Sequence, residues 1–192
     1  MRIGVLAAQG AFAEHIKVLN QLEVDTAPVR LPRELTGMDG LIIPGGESTT
    51  ISRLIADYGL EEEIRKMVVA GKPVFGTCAG MIILSRNISG NTAHTLGLMD
   101  IDVRRNAFGR QRESFETMLP VPALGVEPFP AIFIRAPLIE SCNEGVEVLA
   151  RLPDNTVVAA RQDKMLVTAF HPELTADRRF HRYFLDMVAG RK

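Results

Sequence analysis

The sequence predicts an α/β fold: a mostly parallel sheet with helices on both faces, extended by antiparallel strands in the second half of the chain. Three observations carry that expectation. In the first half, short apolar runs alternate with amphipathic helical stretches, the pattern of strands buried on both sides by crossover helices. In the second half, strand-like runs follow one another with turn residues between them. The chain has 192 residues, 46% hydrophobic and 23% charged, enough for one domain, residues 1–192, to bury a core without disulfides or metals.

Ile3 to Ala8 reads as a buried first strand, and Phe12, Ile16 and Leu19 recur behind it at helical spacing. The same N-terminus could pass for a short signal peptide, but Gln9 breaks the apolar run and a single arginine precedes it. Asp25 to Leu31 is a second strand ended by Pro32, and Gly40 to Pro44 a third, halted by Gly45-Gly46. Ser48, Thr49 or Thr50 can cap a helix whose apolar face is Ile51, Leu54, Ile55 and Tyr58. The next helix carries Leu60, Ile64, Met67 and Val68, with Glu61-Glu62-Glu63 in the turn where the dipole favours acids. Gly71 stops it. Pro73 to Gly76 leads as a strand into Cys78, and Ala79 to Leu84 begins another helix. Later strands are expected at Asp100–Val103, Ala131–Arg135, Val146–Arg151, Thr156–Arg161 and Met165–Phe170. A closing helix carries Phe180, Phe184, Met187 and Val188 on one face.

A net charge of −1 gives no reason to expect a nucleic acid or an anionic membrane as partner. The densest basic stretch, Arg104 to Arg112, is interrupted by Asn106, Phe108 and Gly109 and reads as a solvated strand-loop. No apolar run approaches the roughly 18 residues needed to cross a bilayer. Cys78 and Cys142 are far apart and lack metal-ligand spacing, which fits a reducing cytoplasm.

Gly76-x-Cys78-x-Gly80 lies between a strand and a helix, the setting in which a tight turn presents a nucleophile at the sheet's carboxyl edge. A buried cysteine in a glycine-rich turn is the competing reading. His171 and Glu173 supply what a thiol nucleophile needs: a base that takes its proton and returns it to the leaving group, and a carboxylate that orients the ring. In an extended chain, residues two apart point the same way, and Pro172 restricts the backbone between them. A strand-ending histidine beside a surface acid is the alternative. Gly45-Gly46-Glu47-Ser48 follows a strand and opens a helix, so its N–H groups can face an oxyanion. It could also be a structural turn or a phosphate cradle, although it lacks the Gly-Lys-Ser/Thr ending of a P-loop. The N–H groups of Gly46 and Ala79 are the expected oxyanion donors. His15, His94 and His181 read as structural or solvent-facing, and Cys142 as a bystander.

Taken together, the cysteine turn, the Pro-Gly-Gly loop and the His-Pro-Glu element resemble the triad-type (class I) glutamine amidotransferases. Ala8-Gln9-Gly10-Ala11-Phe12, Arg105-Asn106-Ala107-Phe108-Gly109-Arg110-Gln111 and Phe133-Ile134-Arg135-Ala136-Pro137 are similar to one family within that class, the glutaminase subunits of pyridoxal 5′-phosphate synthases. The resemblance runs from end to end. It implies a three-layer, flavodoxin-like fold and hydrolysis of L-glutamine to L-glutamate and ammonia through a glutamyl thioester on Cys78. It further implies that ammonia is channelled to a separate (β/α)8-barrel synthase subunit in a large hetero-oligomer. That subunit makes pyridoxal 5′-phosphate from ribose 5-phosphate and glyceraldehyde 3-phosphate. By the same resemblance Gly46, Glu47, Ser48, Arg105, Ile134 and Arg135 contact glutamine, and Gln9 and Gly10 lie at the synthase contact. The chain itself is expected to hold no cofactor and no metal. Competing assignments are the glutaminase subunit of another class I enzyme, such as imidazole glycerol phosphate synthase, a γ-glutamyl hydrolase, or an inactive regulatory protein on the same fold. The elements at Arg105–Gln111 and Phe133–Pro137 argue against the first two, and the intact Cys78, His171 and Glu173 against the last.

Overall fold

The computed structural model describes residues 1–90, 94–105 and 114–192. The first half alternates as expected: β1 (Arg2–Leu6), α1 (Phe12–Gln21), β2 (Asp25–Val29), β3 (Gly40–Ile43), α2 (Ser48–Asp57), α3 (Leu60–Val69), β4 (Val74–Thr77) and α4 (Ala79–Leu84). Strands then dominate: β5 (Ser85–Ile88), β6 (Met99–Arg104), β7 (Ser114–Leu119), β8 (Phe129–Ile134), β9 (Leu138–Cys142), β10 (Glu147–Arg151), β11 (Val157–Gln162) and β12 (Met165–Thr168). Helix α5 (Arg179–Val188) follows them. The strands β5, β7 and β9 were not expected from the sequence. Polar residues, Arg86-Asn87 in β5 and Glu140-Ser141 in β9, interrupt their apolar pattern, and β7 is largely exposed.

Among the described residues, ten strands form one sheet in the order β2-β1-β3-β4-β12-β11-β9-β6-β5, with β10 pairing β11. The five from β2 to β12 are parallel to their neighbours. Antiparallel pairing begins where β12 meets β11 and continues through β9 to β6. The strands β7 and β8 make a separate antiparallel ribbon. Pro28 lies in β2 at the sheet's edge, where a missing N–H removes no ladder bond.

Alternation along β4 assigns the helices to faces. Gly76 points at α4, because a Cβ there would stand 2.6 Å from the Gly80 backbone. Phe75 points the other way, against Phe184 of α5 (5.7 Å between ring centroids) and His15 of α1 (6.3 Å). Helices α1 and α5 therefore cover one face, while α4 with its neighbours α2 and α3 covers the other. Phe75, Phe170, Phe180 and Phe184 are fully buried in the layer beneath α5. Phe184→Ala should cost about 3–5 kcal/mol, by lost transfer energy plus the cavity left behind. Urea denaturation checks this: the midpoint falls and the slope is retained.

The topology also positions the loops. The last strand, β12, inserts beside β4 with Thr168 opposite Thr77, and Ile43 of β3 lies opposite Gly76 on the other side. The segments that leave β1, β3, β4 and β12 thus emerge side by side at one edge. They carry Gln9, Gly45-Gly46, Cys78 and His171.

Candidate active site

Cys78 has φ 49° and ψ −102°, a backbone conformation that side-chain-bearing residues rarely adopt. Such a residue costs about 1–3 kcal/mol and persists only where its surroundings hold it. Here its N–H donates to the Thr168 carbonyl of β12 (2.8 Å), and its carbonyl accepts from Met81 N–H of α4 (3.1 Å). The flanking glycines are steric requirements: a Cβ at Gly80 would stand 2.0 Å from the Ile43 carbonyl oxygen, and one at Gly76 would meet Gly80. Helix α4 can start only because it lies directly on the backbones of β3 and β4.

Beside Cys78, the backbone N–H of His171 donates to the Ile132 carbonyl of β8 (2.9 Å). The ring's Nδ1 meets Glu173 Oε1 at 2.6 Å, and the ring lines the same cleft as the Cys78 side chain. The two-residue spacing works, but for another reason than strand alternation. β12 ends at Thr168, and Pro172–Leu174 is a single 3-10 turn that folds Glu173 back beneath the ring. Proline suits the first position of such a turn, since it has no N–H to leave unpaired.

Burial opposes a charge on His171. Cys78 and the hydrogen-bonded Glu173 carboxylate beside the ring outweigh it and raise the ring to about 10. The ring therefore favours the protonated form, which can give a proton to a leaving amine. Glu173 is held below its ordinary range: burial favours its neutral form, but the neighbouring His15 and the hydrogen bond from His171 prevail. It stays a carboxylate although its side chain is fully buried.

Gly45 and Gly46 lie against this pair. A Cβ at Gly45 would stand 2.3 Å from His171 Cε1, and one at Gly46 2.5 Å from Gln9 Oε1. Gly45 N–H donates to Thr77 Oγ1 (3.1 Å), and the Gly45 carbonyl accepts from Ala11 N–H (3.0 Å). A trans peptide directs its N–H opposite to its carbonyl, so Gly46 N–H is aimed away from α1. Gly10 packs behind the loop with φ +93°, where a Cβ would stand 1.9 Å from the Gly45 oxygen. Gln9 Oε1 accepts from Glu47 N–H (2.8 Å), which ties the turn after β1 to the loop after β3.

A cleft of about 350 Å³ opens over the cysteine. Gln9, Gly46, Glu47, Ser48, Cys78, Ala79 and His171 line one part of it, and Ile82, Arg105, Ile134, Arg135 and Pro137 the rest. Of the residues expected to act in catalysis, to bind glutamine or to meet the synthase, Gly10 and Glu173 do not line the cleft; the first braces the loop and the second stands behind His171. Arg135 has φ 42°, a second uncommon backbone conformation at the site. Arg104 and Arg105, inseparable by composition, part here: Arg104 pairs with Glu140 (3.3 Å), while Arg105 reaches Glu47 (3.1 Å) and Thr49 (3.2 Å) at the cleft. The rest of that motif, Asn106 to Gln111, lies outside the described residues.

Glu47 corrects one expectation. It, not Ser48, Thr49 or Thr50, caps α2: its carboxylate accepts from Thr49 N–H (3.1 Å), Thr50 N–H (2.7 Å) and Thr50 Oγ1 (2.8 Å). Partial burial pushes its acidity the other way, yet the bonds from Thr50 and Thr49 hold it at about 2. With the cap and Arg105 occupying its oxygens, this acid orients a guanidinium rather than offering a free carboxylate.

Sequence reasoning passed over His15, Thr77 and His181, all of them fully buried at the site's base. A signal was present: His15 lies on the apolar stripe of α1 with Phe12, Ile16 and Leu19. His94 is the solvent-facing one, paired with Glu61 at 2.8 Å.

The family model described as the SNO glutamine amidotransferase family matches residues 5–190. A curated relative from Dehalococcoides mccartyi, "Pyridoxal 5'-phosphate synthase subunit PdxT", is 56% identical over 100% of both chains. A crystal structure of a glutamine amidotransferase, 50% identical, superposes with a TM-score of 0.92 over 97% of this chain and 98% of that one. The structure of PurLQS from Thermotoga maritima, at 16% identity and a TM-score of 0.74, covers 96% of this chain and 97% of that one and shares the fold alone.

Proposed function

The chain belongs to the SNO glutamine amidotransferase family, and from that premise we propose that it is the glutaminase subunit of a pyridoxal 5′-phosphate synthase, acting as one domain. The observation that carries the chemistry is Cys78 on a strained turn in one cleft with His171, whose Nδ1 is held by Glu173 at 2.6 Å. Cys78 Sγ attacks the carboxamide carbon of glutamine, and the carbonyl π pair moves to oxygen. Gly46 and Ala79 N–H groups receive that oxyanion; Ala79, first in α4, has no intrahelical acceptor for its N–H. As the tetrahedral adduct collapses, the C–N bond breaks and His171 protonates the departing ammonia. The neutral ring then takes a proton from water, which attacks the thioester and releases glutamate and the thiol.

Substrate selection follows from the cleft's charges. Arg105 and Arg135 are suited to the α-carboxylate of glutamine, since a guanidinium matches a carboxylate fork. Glu47 holds Arg105 in place. Ser48 and Ile134 complete the contacts around the side chain. Among the described residues no helix is long and apolar enough to cross a membrane, and two unpaired cysteines suit work in the cytoplasm.

The partner is a (β/α)8-barrel synthase that takes the ammonia within a hetero-oligomer, docking on the turn that holds Gln9 and Gly10. That turn is bonded to the oxyanion loop at two points, through Gln9 Oε1 and Ala11 N–H. One oxyanion donor is worth on the order of 10²–10³ in rate, so docking that settles the Gly45–Gly46 peptide switches activity by about that factor. Ammonia release from glutamine, measured with and without the synthase, tests both statements. Release raised by the synthase, with amide nitrogen appearing in the pyridoxal product, is expected. Equal rates would remove the switch, and no release in the complex would remove the function.

A further inference from the structure

We propose that His15 is a positioning residue for the triad, directing an Nε2–H at the second oxygen of Glu173 and bracing the oxyanion loop through Thr77. The inference rests on the glutaminase reading above, and it concerns a histidine that α1 buries completely.

Glu173 divides its two oxygens between two imidazoles. Oε1 holds His171, and Oε2 lies 3.4 Å from His15 Nε2. Among the described residues, no hydrogen bond of ordinary length reaches Oε2. A buried carboxylate oxygen needs a donor, and His15 Nε2 is the group that faces it. The same nitrogen is 3.1 Å from Thr77 Oγ1, which accepts the Gly45 N–H. On the far side of the ring, His15 Nδ1 is 3.0 Å from His181 Nε2.

A neutral imidazole has one donor and one acceptor, so the chain of contacts runs in one of two directions. If His15 carried its proton on Nδ1, a bare Nε2 lone pair would face the carboxylate and repel it. With the proton on Nε2, His15 donates towards Glu173 and Thr77, and His181 Nε2–H donates to His15 Nδ1. That direction gives Thr77 Oγ1 two donors, Gly45 N–H and His15 Nε2–H, and leaves the His181 Nδ1 lone pair without a partner. His181 thus selects the tautomer of His15, and His15 holds Glu173.

The charged and titratable groups facing His15 come from every element around it. They are Glu173 and His171 from the turn after β12, Glu14 from its own helix, and His181 of α5, on which Arg178 acts in turn. Burial is the largest influence on both buried histidines and keeps each below its ordinary range; for His15, Glu173 and Glu14 pull upward and His171 downward. A neutral ring with a fixed tautomer is therefore the state that touches Glu173.

The test uses the full chain with the synthase present. In His15→Gln, the side-chain amide reaches the place of Nε2. In His15→Asn, it reaches only the Nδ1 side and leaves Glu173 without its donor. For His15→Asn, kcat should fall on the order of ten- to a hundredfold with little change in KM, as slight misplacement of the His171 ring implies. The acid limb of the kcat/KM profile should also move to higher pH, because an unsupported Glu173 carboxylate takes a proton more readily. His15→Gln should restore most of both. A purely structural role would lower stability and leave the acid limb where it is; that result overturns the proposal. Nitrogen NMR of wild-type ¹⁵N-histidine protein needs no variant to fold: a neutral Nε2–H His15 is expected, and an Nδ1–H tautomer or an imidazolium at neutral pH overturns the proposal too. A wild type that releases no ammonia would overturn the glutaminase reading and this inference together, whereas an active wild type with unshifted variants overturns this one alone.

Discussion

Cys78→Ala should abolish ammonia release from glutamine, with kcat falling on the order of 10⁴–10⁶-fold. The expectation follows from the geometry. The nucleophilic sulfur is the only part of the side chain beyond Cβ, so its removal leaves binding in the cleft but no covalent path. Stability should change by about 1 kcal/mol or less, since alanine keeps the same strained backbone as cysteine and loses one buried atom. A glutamine-analogue electrophile provides a second readout. Mass spectrometry of the wild type should place the adduct on Cys78 and leave Cys142 unmodified, because only Cys78 pairs reach with a base. Cys142 is half-buried on β9, and burial, partly offset by Arg151, raises its thiol and keeps it protonated. Cys142→Ala should retain wild-type kcat. Residual turnover in Cys78→Ala within tenfold of wild type would refute the assignment of the nucleophile.

Gly45→Ala should be nearly as damaging, although it adds only a methyl group. That methyl would stand 2.3 Å from His171 Cε1 and 3.0 Å from Nδ1. The loop cannot easily yield, because Gly45 N–H is held by Thr77 and its carbonyl by Ala11 N–H. The ring must move instead, which disturbs its bond to the Glu173 oxygen 2.6 Å away. A displacement near 1 Å costs roughly 10²-fold in rate, and disturbance of the adjacent oxyanion donor adds to that. The control is Gly59→Ala, at φ +68° with no atom within 4 Å of the added carbon. It should cost about 1 kcal/mol of stability and leave kcat unchanged. A Gly45→Ala enzyme with kcat within twofold of wild type would show that the ring and loop have slack the distances do not suggest.

Much of this site could be read along the chain. The glycines around Cys78 announce a turn without room for side chains, and Gly76 and Gly80 indeed touch backbone. His171 and Glu173 were chosen by chemistry, and they pair through a 3-10 turn where alternation along a strand was expected. Glu47 was chosen as a substrate contact and is a helix cap as well; no local pattern separates an acid that binds a ligand from one that accepts two helix N–H groups. The strands β5, β7 and β9 went unread because polar residues break their apolar rhythm, and pairing with β6 and β8 compensates in the fold. His15 escaped notice for a related reason. Periodicity places it on the buried stripe of α1, but nothing in α1 says that β12 will deliver Glu173 to its ring.

By itself, then, the sequence determines the kind of chain this is. Its alternation of apolar runs dictates a parallel sheet between helices, because only that arrangement buries strands on both sides. Its Gly-x-Cys-x-Gly turn and His-Pro-Glu element carry the proposal of thiol chemistry, because they place a thiol, a base and an acid in the settings such chemistry needs. The tertiary structure alone decided how the pieces meet. Inserting β12 between β4 and β11 places His171, 93 positions along the chain from Cys78, within reach of its sulfur. The same packing of α1 on the sheet sets His15 against the triad carboxylate. Such contacts depend on strand order and register, which arise from burial summed over the whole core and leave no mark in any short stretch of residues.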